Sequence, residues 1–139
     1  MEINNKKAYF NYYVEKEVES GIVLTGTEIK AVRKGSANIK DAYIRIKNNE
    51  VFIINMYIAK YEAGEFFNHD ETRERKLLLH KKEISKLKSD VSVSGYTLIP
   101  LKIYLNRNKA KVLIGICKGK KLYDKRIALK EKELLKESR

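Results

Sequence analysis

Apolar and charged positions alternate along the first strongly patterned segment, YYVEKEVESGIVL (residues 12–24). One parity holds Val14, Val18, Ile22 and Leu24, and the other holds Glu15, Glu17 and Glu19. A period of two with β-branched residues is typical of a β-strand that is exposed on one face. Gly21 interrupts the pattern, and we expect a bulge or bend there.

The next segment, TGTEIKAVRKG, changes to a helical period. Thr25 and Glu28 have the spacing of a capping box, and Ile29 and Val32 are three residues apart on one helical face. Gly35 can adopt the left-handed conformation that ends many helices. The segment therefore predicts a short helix.

Two later segments have the pattern of β-hairpins. Asn48-Asn49 separates two β-rich runs, and Asn106-Arg107-Asn108 separates two others. On the first arm of the second hairpin, Leu101, Ile103 and Leu105 alternate and are expected to share one face. Pro100 cannot donate a hydrogen bond to a sheet ladder, which predicts an edge or a bulge at this position.

A second helix is predicted between the hairpins, where Ile84, Leu87 and Val91 share one face. About six strands with two short helices favour a mainly β fold, namely a closed antiparallel barrel of the oligonucleotide-binding type. We expect this barrel to occupy residues 1–122. Residues 123–139 have no clean apolar stripe and are expected to form a basic tail that is disordered when unbound.

The size and composition of the chain fit a single cytoplasmic domain. It has 139 residues, and its one cysteine, Cys117, excludes an internal disulfide. Neither a secretory signal nor an apolar run long enough for a membrane span is visible.

Positive charge is concentrated at one end of the chain. Residues 101–139 hold thirteen Lys/Arg against four Asp/Glu, so they carry +9 of the net charge of +12. This polarity indicates a polyanionic partner at that end. A solubilising tail is the alternative, but the aromatic Tyr123 within the basic run favours a nucleic acid.

The sequence gives little support for catalysis, so no catalytic residue, cofactor or metal site is expected. One cysteine and two histidines, His69 and His80, are too few for the usual zinc sites. Alternation places Glu15, Glu17 and Glu19 on one strand face, where with Asp41 they could form a two-metal nuclease site. A solvated strand face gives the same pattern and is the preferred interpretation.

Three longer stretches together resemble one protein family. They are SGIVLTGTEIKAVRKG, TRERKLLLHKKEI and GKKLYDKR, and they follow the order found in the tmRNA-binding small protein B family. The resemblance covers most of residues 6–131. It implies an oligonucleotide-binding barrel that binds the tRNA-like domain of tmRNA and delivers it to stalled ribosomes for trans-translation.

The resemblance also implies a set of RNA-contacting residues. Glu19, Leu78 and His80 match the family's tmRNA contacts, with Tyr12 and Tyr43 as neighbours. Glu19 can accept from base or 2′-hydroxyl donors, Leu78 can pack under an unstacked base, and His80 can stack or donate. Two alternatives remain open, because Leu78 could be a core residue and His80 could be a helix N-cap. The lysines expected to meet phosphate are Lys118, Lys120 and Lys121.

The family pattern assigns the end of the basic run to the ribosome. Tyr123 matches an aromatic position that stacks on small-subunit rRNA at the decoding centre, and Asp124, Lys125 and Arg126 match the charged signature beside it. Family members usually continue with a longer basic tail, whereas this sequence ends at Arg139. The alternative function is a general RNA-binding or ribosome-associated barrel without tmRNA specificity.

Overall fold

The structure, a computed structural model, describes residues 1–61 and 68–137. Within this part, the side chains of residues 122, 124, 128 and 134–137 are not described. The described residues form nine strands and four helices. In chain order these are β1 Glu2–Asn4, α1 Lys6–Asn11, β2 Tyr12–Ile22, α2 Gly26–Arg33, β3 Ala37–Asn38, β4 Tyr43–Lys47, β5 Glu50–Ile54, β6 Tyr57–Ile58, β7 Arg75–Leu78, α3 Lys81–Ser92, β8 Thr97–Asn106, β9 Lys109–Gly119 and α4 Leu122–Glu137.

Seven strands form one antiparallel sheet, which confirms a mainly β fold with short helices. Their order is β1-β8-β9-β2-β7-β5-β4, and β3 pairs with β6 in a separate two-stranded sheet. The ladder is open between β1 and β4 in the described part of the chain, so the predicted closure is not confirmed. One reason lies at the edge of β8, where β1 pairs with residues 102–104. Beside them, Asn5 donates hydrogen bonds to the carbonyls of Pro100 and Leu101.

The sheet curves around a main core of aliphatic side chains. The strands contribute alternate residues to this core, as expected for a sheet with one buried face. The fully buried members include Val32, Val51, Ile53, Met56, Ile58, Ile103, Val112 and Ile114.

Two β-bulges change which face of the sheet each residue occupies. One lies between Val14 and Lys16 in β2, and the other between Pro100 and Lys102 in β8. The predicted bulge near Pro100 is thus confirmed. The bulge inverts the alternation, so Ile103 joins the main core whereas Leu101 points to the opposite face. The expectation that Leu101 and Ile103 share one face was therefore wrong.

The opposite face carries a second, smaller core beneath α1. Its buried members are Ala8 of α1, Ile99 and Leu101 of β8, and Cys117 of β9. Burial, followed by the nearby Glu17 charge, raises the pKa of Cys117 to about 11. This thiol is therefore a packing group and not a reactive one.

Both predicted hairpin turns are present. Asn48 and Asn49 have φ values of 52° and 61°, and Arg107 and Asn108 have values of 53° and 63°. Two consecutive left-handed residues match the twist of the strands that they join.

Helix α2 begins at the predicted capping box. The Thr25 hydroxyl accepts from the Glu28 backbone, and the Glu28 carboxylate accepts from the Thr25 N–H at 2.9 Å. The Glu28 side chain is fully buried, where it accepts hydrogen bonds from Arg73, at 2.6 Å, and from the buried Arg75. The Arg75 guanidinium also donates to the Met56 carbonyl at 2.6 Å, so this ion pair ties α2 to β7 and the segment before β6.

Residues 122–137 form helix α4, where the sequence predicted a tail disordered in the unbound protein. The segment is rich in Leu, Lys, Glu and Arg, which have high intrinsic helix propensity, and this explains a helix without a strong apolar face. The domain boundary at residue 122 and the disorder of the free tail remain predictions.

Candidate nucleic-acid interface

Glu19, Leu78 and His80 lie together in one surface cleft. Glu83 and Lys111 also line it, and its volume is about 350 Å³. The cleft thus combines a carboxylate acceptor, an apolar side chain, an imidazole and an ammonium group. The structure brings together the three residues that the sequence assigned to one contact set.

The cleft lies where β2 passes between β9 and β7. Glu19 is paired with Leu113 of β9 and its side chain is exposed. Two residues later, Gly21 is paired with Leu78 of β7. Pairing with β9 and β7 is regular at Gly21, so of the predicted bulge or bend, the bulge is wrong. A Cβ atom at Gly21 would lie 3.2 Å from the Leu78 Cβ atom, so the glycine opens space beside this leucine.

Leu78 is 53% exposed, which excludes the alternative that it is a core residue. Its neighbour Leu77 points to the main core and is buried, as alternation along β7 requires. Leu78 is therefore available to a ligand as an apolar contact.

His80 is the N-cap residue of α3, as the alternative interpretation of this residue predicted. Its backbone N–H donates to the Glu83 carboxylate at 2.9 Å. The imidazole is exposed in the cleft. The N-cap position and a contact role for the ring are therefore compatible.

Two further side chains on this face, those of Tyr104 and Lys111, could not be identified from the sequence as members of the site. Tyr104 of β8 donates its hydroxyl hydrogen bond across β9 to the Glu19 carboxylate. Lys111 of β9 is paired with Tyr104 on one side and with Gly21 on the other. Both depend on strand register, which a hairpin pattern does not fix by itself.

Tyr12 and Tyr43 lie elsewhere, in a cleft of about 280 Å³ beneath α1. Tyr12 begins β2 and Glu19 is seven residues further along the same strand. A rise of about 3.3 Å per residue separates the two positions by roughly 23 Å. Tyr12 and Tyr43 are therefore neighbours of each other and not of Glu19.

The predicted phosphate-binding lysines lie at the Tyr12 end of the sheet. The Lys118 ammonium lies 5.1 Å from the centre of the Tyr96 ring, and the Lys120 ammonium lies 5.0 Å from that of Tyr13. Lys120 also donates to the Tyr9 carbonyl at 3.1 Å. Lys121 is exposed just before α4. These cations belong to the α1 end of the molecule, away from the Glu19 cleft.

The residues assigned to the ribosome lie in the first turn and a half of α4. Tyr123 is 73% exposed, Lys125 is half-buried and Arg126 is exposed. The side chain of Asp124 lies outside the described part of the structure.

The glutamates of β2 do not share one face, as the alternative two-metal site requires. Glu15 lies in the bulge between Val14 and Lys16, which interrupts the alternation that a shared face requires. Among residues 1–61 and 68–137, no group of three His, Cys, Asp or Glu side chains is placed to hold a metal ion. The same residues include no helix that is both long and apolar enough to cross a membrane.

An antiparallel β domain with an exposed polar and apolar cleft, and with a cluster of lysines just before its C-terminal helix, has the features of a nucleic-acid-binding protein. The model of one family, described as SmpB protein, matches residues 2–139. The chain belongs to this family.

The chain is also similar to curated and solved relatives. The SsrA-binding proteins of Staphylococcus aureus strains Newman and JH1 are each 56% identical over 128 residues, covering 92% of this chain and 83% of the relative. A solved structure described as "tmRNA-SmpB: a journey to the center of the bacterial ribosome" has a TM-score of 0.73 and 42% identity. That match covers 92% of this chain and 94% of the solved one.

Proposed function

We propose that this protein is an RNA-binding adaptor that binds the tRNA-like domain of tmRNA and brings it to stalled ribosomes for trans-translation. Membership of the SmpB family, with relatives named as SsrA-binding proteins, supports this function. The protein contributes binding and positioning, and the chemistry of peptide transfer belongs to the ribosome. Its place of action is the cytoplasm.

The cleft formed by Glu19, Leu78 and His80 is the observation that carries this proposal. RNA is recognised mainly through unstacked bases and 2′-hydroxyl groups, which need acceptors and flat or apolar contacts. Glu19 supplies the acceptor, Leu78 the apolar surface and His80 a ring that can stack or donate. Lys111, at the margin of the cleft, adds a cation for a phosphate.

A barrel of the oligonucleotide-binding type is the finer architecture that we propose. Strands β4 and β8 lie close to each other across the open side of the sheet. The groove between them is lined by Ile44, Ile46 and Leu98, which continue the main core. Side-chain packing then closes the barrel where the hydrogen-bonded ladder does not.

The start of α4 is the proposed contact with the decoding centre. The Tyr123 ring is exposed and can stack on an rRNA base, which contributes about 1–3 kcal/mol per base. Asp124, Lys125 and Arg126 adjoin it, and the cations among them can meet phosphate.

A titration against tmRNA and against ordinary tRNA, at two salt concentrations, tests the proposal. Tighter binding of tmRNA at both concentrations is expected. Equal affinity for the two RNAs would favour a general RNA-binding or ribosome-associated protein, which is the competing function.

Two variants separate the specific contact from the electrostatic one. Glu19→Ala is expected to weaken tmRNA binding roughly tenfold without changing its salt dependence, because it removes an acceptor and no cation. Lys121→Ala or Lys120→Ala is expected to lower the slope of log K against log salt by roughly one. Glu74→Ala is the matched control, because Glu74 is an exposed carboxylate directly before β7. It should leave both the tmRNA affinity and its salt dependence unchanged. An equal loss for all RNAs upon Glu19→Ala would contradict a specific contact.

A further inference from the structure

The hydrogen bond between Tyr104 and Glu19 connects two strands that are not neighbours. Tyr104 is on β8 and Glu19 is on β2, with β9 between them. Both side chains lie on the outer face, and the tyrosine hydroxyl donates to Oε2 of the carboxylate. A contact across an intervening strand requires a side chain as long as tyrosine.

The Tyr104 ring is itself held in place on this face. The Lys102 ammonium lies 5.1 Å from the ring centre, in the range of a cation–π contact. Lys102 in turn lies 3.5 Å from Oε1 of Glu2 on β1. The groups that fix this tyrosine therefore come from three strands, β1, β8 and β2.

The Tyr104 hydroxyl remains protonated, so it can act as a stable hydrogen-bond donor to the Glu19 carboxylate. Burial, together with the hydrogen bond to Glu19 and the Glu19 charge, raises the pKa of Tyr104 to about 12. The hydroxyl therefore keeps its proton at neutral pH and remains a donor. Within the part of the chain that the structure describes, Glu19 Oε1 has no hydrogen-bond partner.

We propose that Tyr104 is a positioning residue that anchors Oε2 of Glu19 and so presents Oε1 to a donor group on the bound RNA. The donor would be a base-edge amino or imino group, or a ribose 2′-hydroxyl. This role rests on the proposed function, since it requires that Glu19 contacts tmRNA. A flexible surface glutamate would lose rotamer freedom on binding, which costs binding free energy. An anchored glutamate has already lost this freedom in the free protein, so it binds without that cost.

The test is a double-mutant cycle on tmRNA affinity with Tyr104→Phe, Glu19→Ala and the double variant. Tyr104→Phe keeps the ring and its packing and removes only the donor. We expect it to weaken tmRNA binding roughly three- to tenfold in the wild-type background. In the Glu19→Ala background, the same change should alter affinity by less than about 1.5-fold, because no carboxylate is left to position.

Tyr57→Phe is the matched control, because Tyr57 is an exposed tyrosine on the separate β3-β6 sheet. It should leave tmRNA affinity unchanged. Thermal unfolding of each variant gives a second measurement, and Tyr104→Phe should unfold at nearly the wild-type temperature. If the hydrogen bond to Glu19 only stabilised the fold, Tyr104→Phe would give the reverse result, namely a lowered unfolding temperature and unchanged tmRNA affinity.

The outcomes distinguish failure of the positioning role of Tyr104 from failure of the proposed tmRNA-binding function. If wild type prefers tmRNA to tRNA and Tyr104→Phe binds normally, or if the two losses multiply, the positioning role is wrong and the proposed function stands. If wild type shows no preference for tmRNA, both are wrong.

Discussion

Glu28 is the most deeply buried carboxylate that the structure describes, and two arginines balance it. Burial by itself raises the pKa of Glu28. Hydrogen bonds from Arg73, the Thr25 backbone and Arg75 outweigh that effect, so the pKa lies below its ordinary value of 4.5. A buried charge of this kind is costly to leave without its partner, because the remaining ion is desolvated and uncompensated.

Replacing Glu28 with Gln should therefore lower the free energy of unfolding by about 3–5 kcal/mol, because the buried Arg75 cation loses its counter-ion. In wild type the stabilisation from ionised Glu28 is fully present above the ordinary pKa of 4.5 and is lost as the pH falls through the lowered folded-state value. Urea unfolding between pH 7 and pH 3 measures this dependence, which the variant should lack. Glu15→Gln, at an exposed carboxylate, is the control and should change stability by less than about 0.5 kcal/mol. A similar effect of both changes would contradict the buried ion pair.

The sequence predicted some of these residues and not others, for a physical reason. The capping box predicted Glu28 at the start of α2, since a helix terminus is a local feature. Its burial against Arg73 and Arg75 depends on the pairing of β7 with β2 and β5, which joins distant residues. Likewise, the resemblance to a family gave Glu19, whereas Tyr104 becomes visible only once the order of the strands is known.

At the scale of elements, the two bulges decide which surfaces the strands offer. Periodicity located the longer strands and both turns of the hairpins, because alternation and Asn-rich turns are local. The short strands β1, β3 and β6 and the helix α1 were not predicted. It did not locate the bulge in β2 between Val14 and Lys16. A bulge adds one residue to a strand without any distinctive residue type, so periodicity continues through it and assigns the wrong face. The second core beneath α1 was missed because neither α1 nor the change of face across the bulge in β8 was predicted.

Gly115 tests the packing that the bulge in β8 creates. A Cβ atom at this position would lie 2.9 Å from three side-chain carbons of Leu101, which is 1% exposed. Gly115→Ala should therefore lower the free energy of unfolding by about 1–3 kcal/mol through overpacking of the second core. Gly119→Ala is the matched control in the same strand, because its nearest atom, on Tyr12, is 4.0 Å away. Chemical denaturation of the two variants distinguishes them, and equal stability would mean that Leu101 can move aside.

At the scale of the whole molecule, the proposed contact residues lie in separate places. The Glu19 cleft lies roughly 23 Å along β2 from Tyr12, at a rise of about 3.3 Å per residue. The start of α4 is joined to the Tyr12 end, because the Lys120 N–H donates to the Asn11 carbonyl at 2.8 Å. We therefore propose that tmRNA extends from the cleft to the lysines before α4, while the exposed Tyr123 on α4 meets the ribosome. Such an arrangement suits an adaptor that must hold tmRNA and contact the ribosome together.

This division predicts that the two activities can be lost separately. Tyr123→Ala should leave tmRNA affinity within about threefold, roughly 0.7 kcal/mol, because the variant keeps the proposed tmRNA contacts in the Glu19 cleft and at the lysines before α4. The same variant should fail to support peptide tagging on stalled ribosomes, where we expect wild type to be active, because it lacks the ring that we propose to stack at the decoding centre. Tyr123→Phe keeps the ring and should remain active, which separates stacking from loss of the hydroxyl. A tmRNA binding curve and a reconstituted tagging assay on the same preparations measure both effects. If Tyr123→Ala binds tmRNA tenfold more weakly, or tags as wild type does, the separation of the two surfaces is wrong.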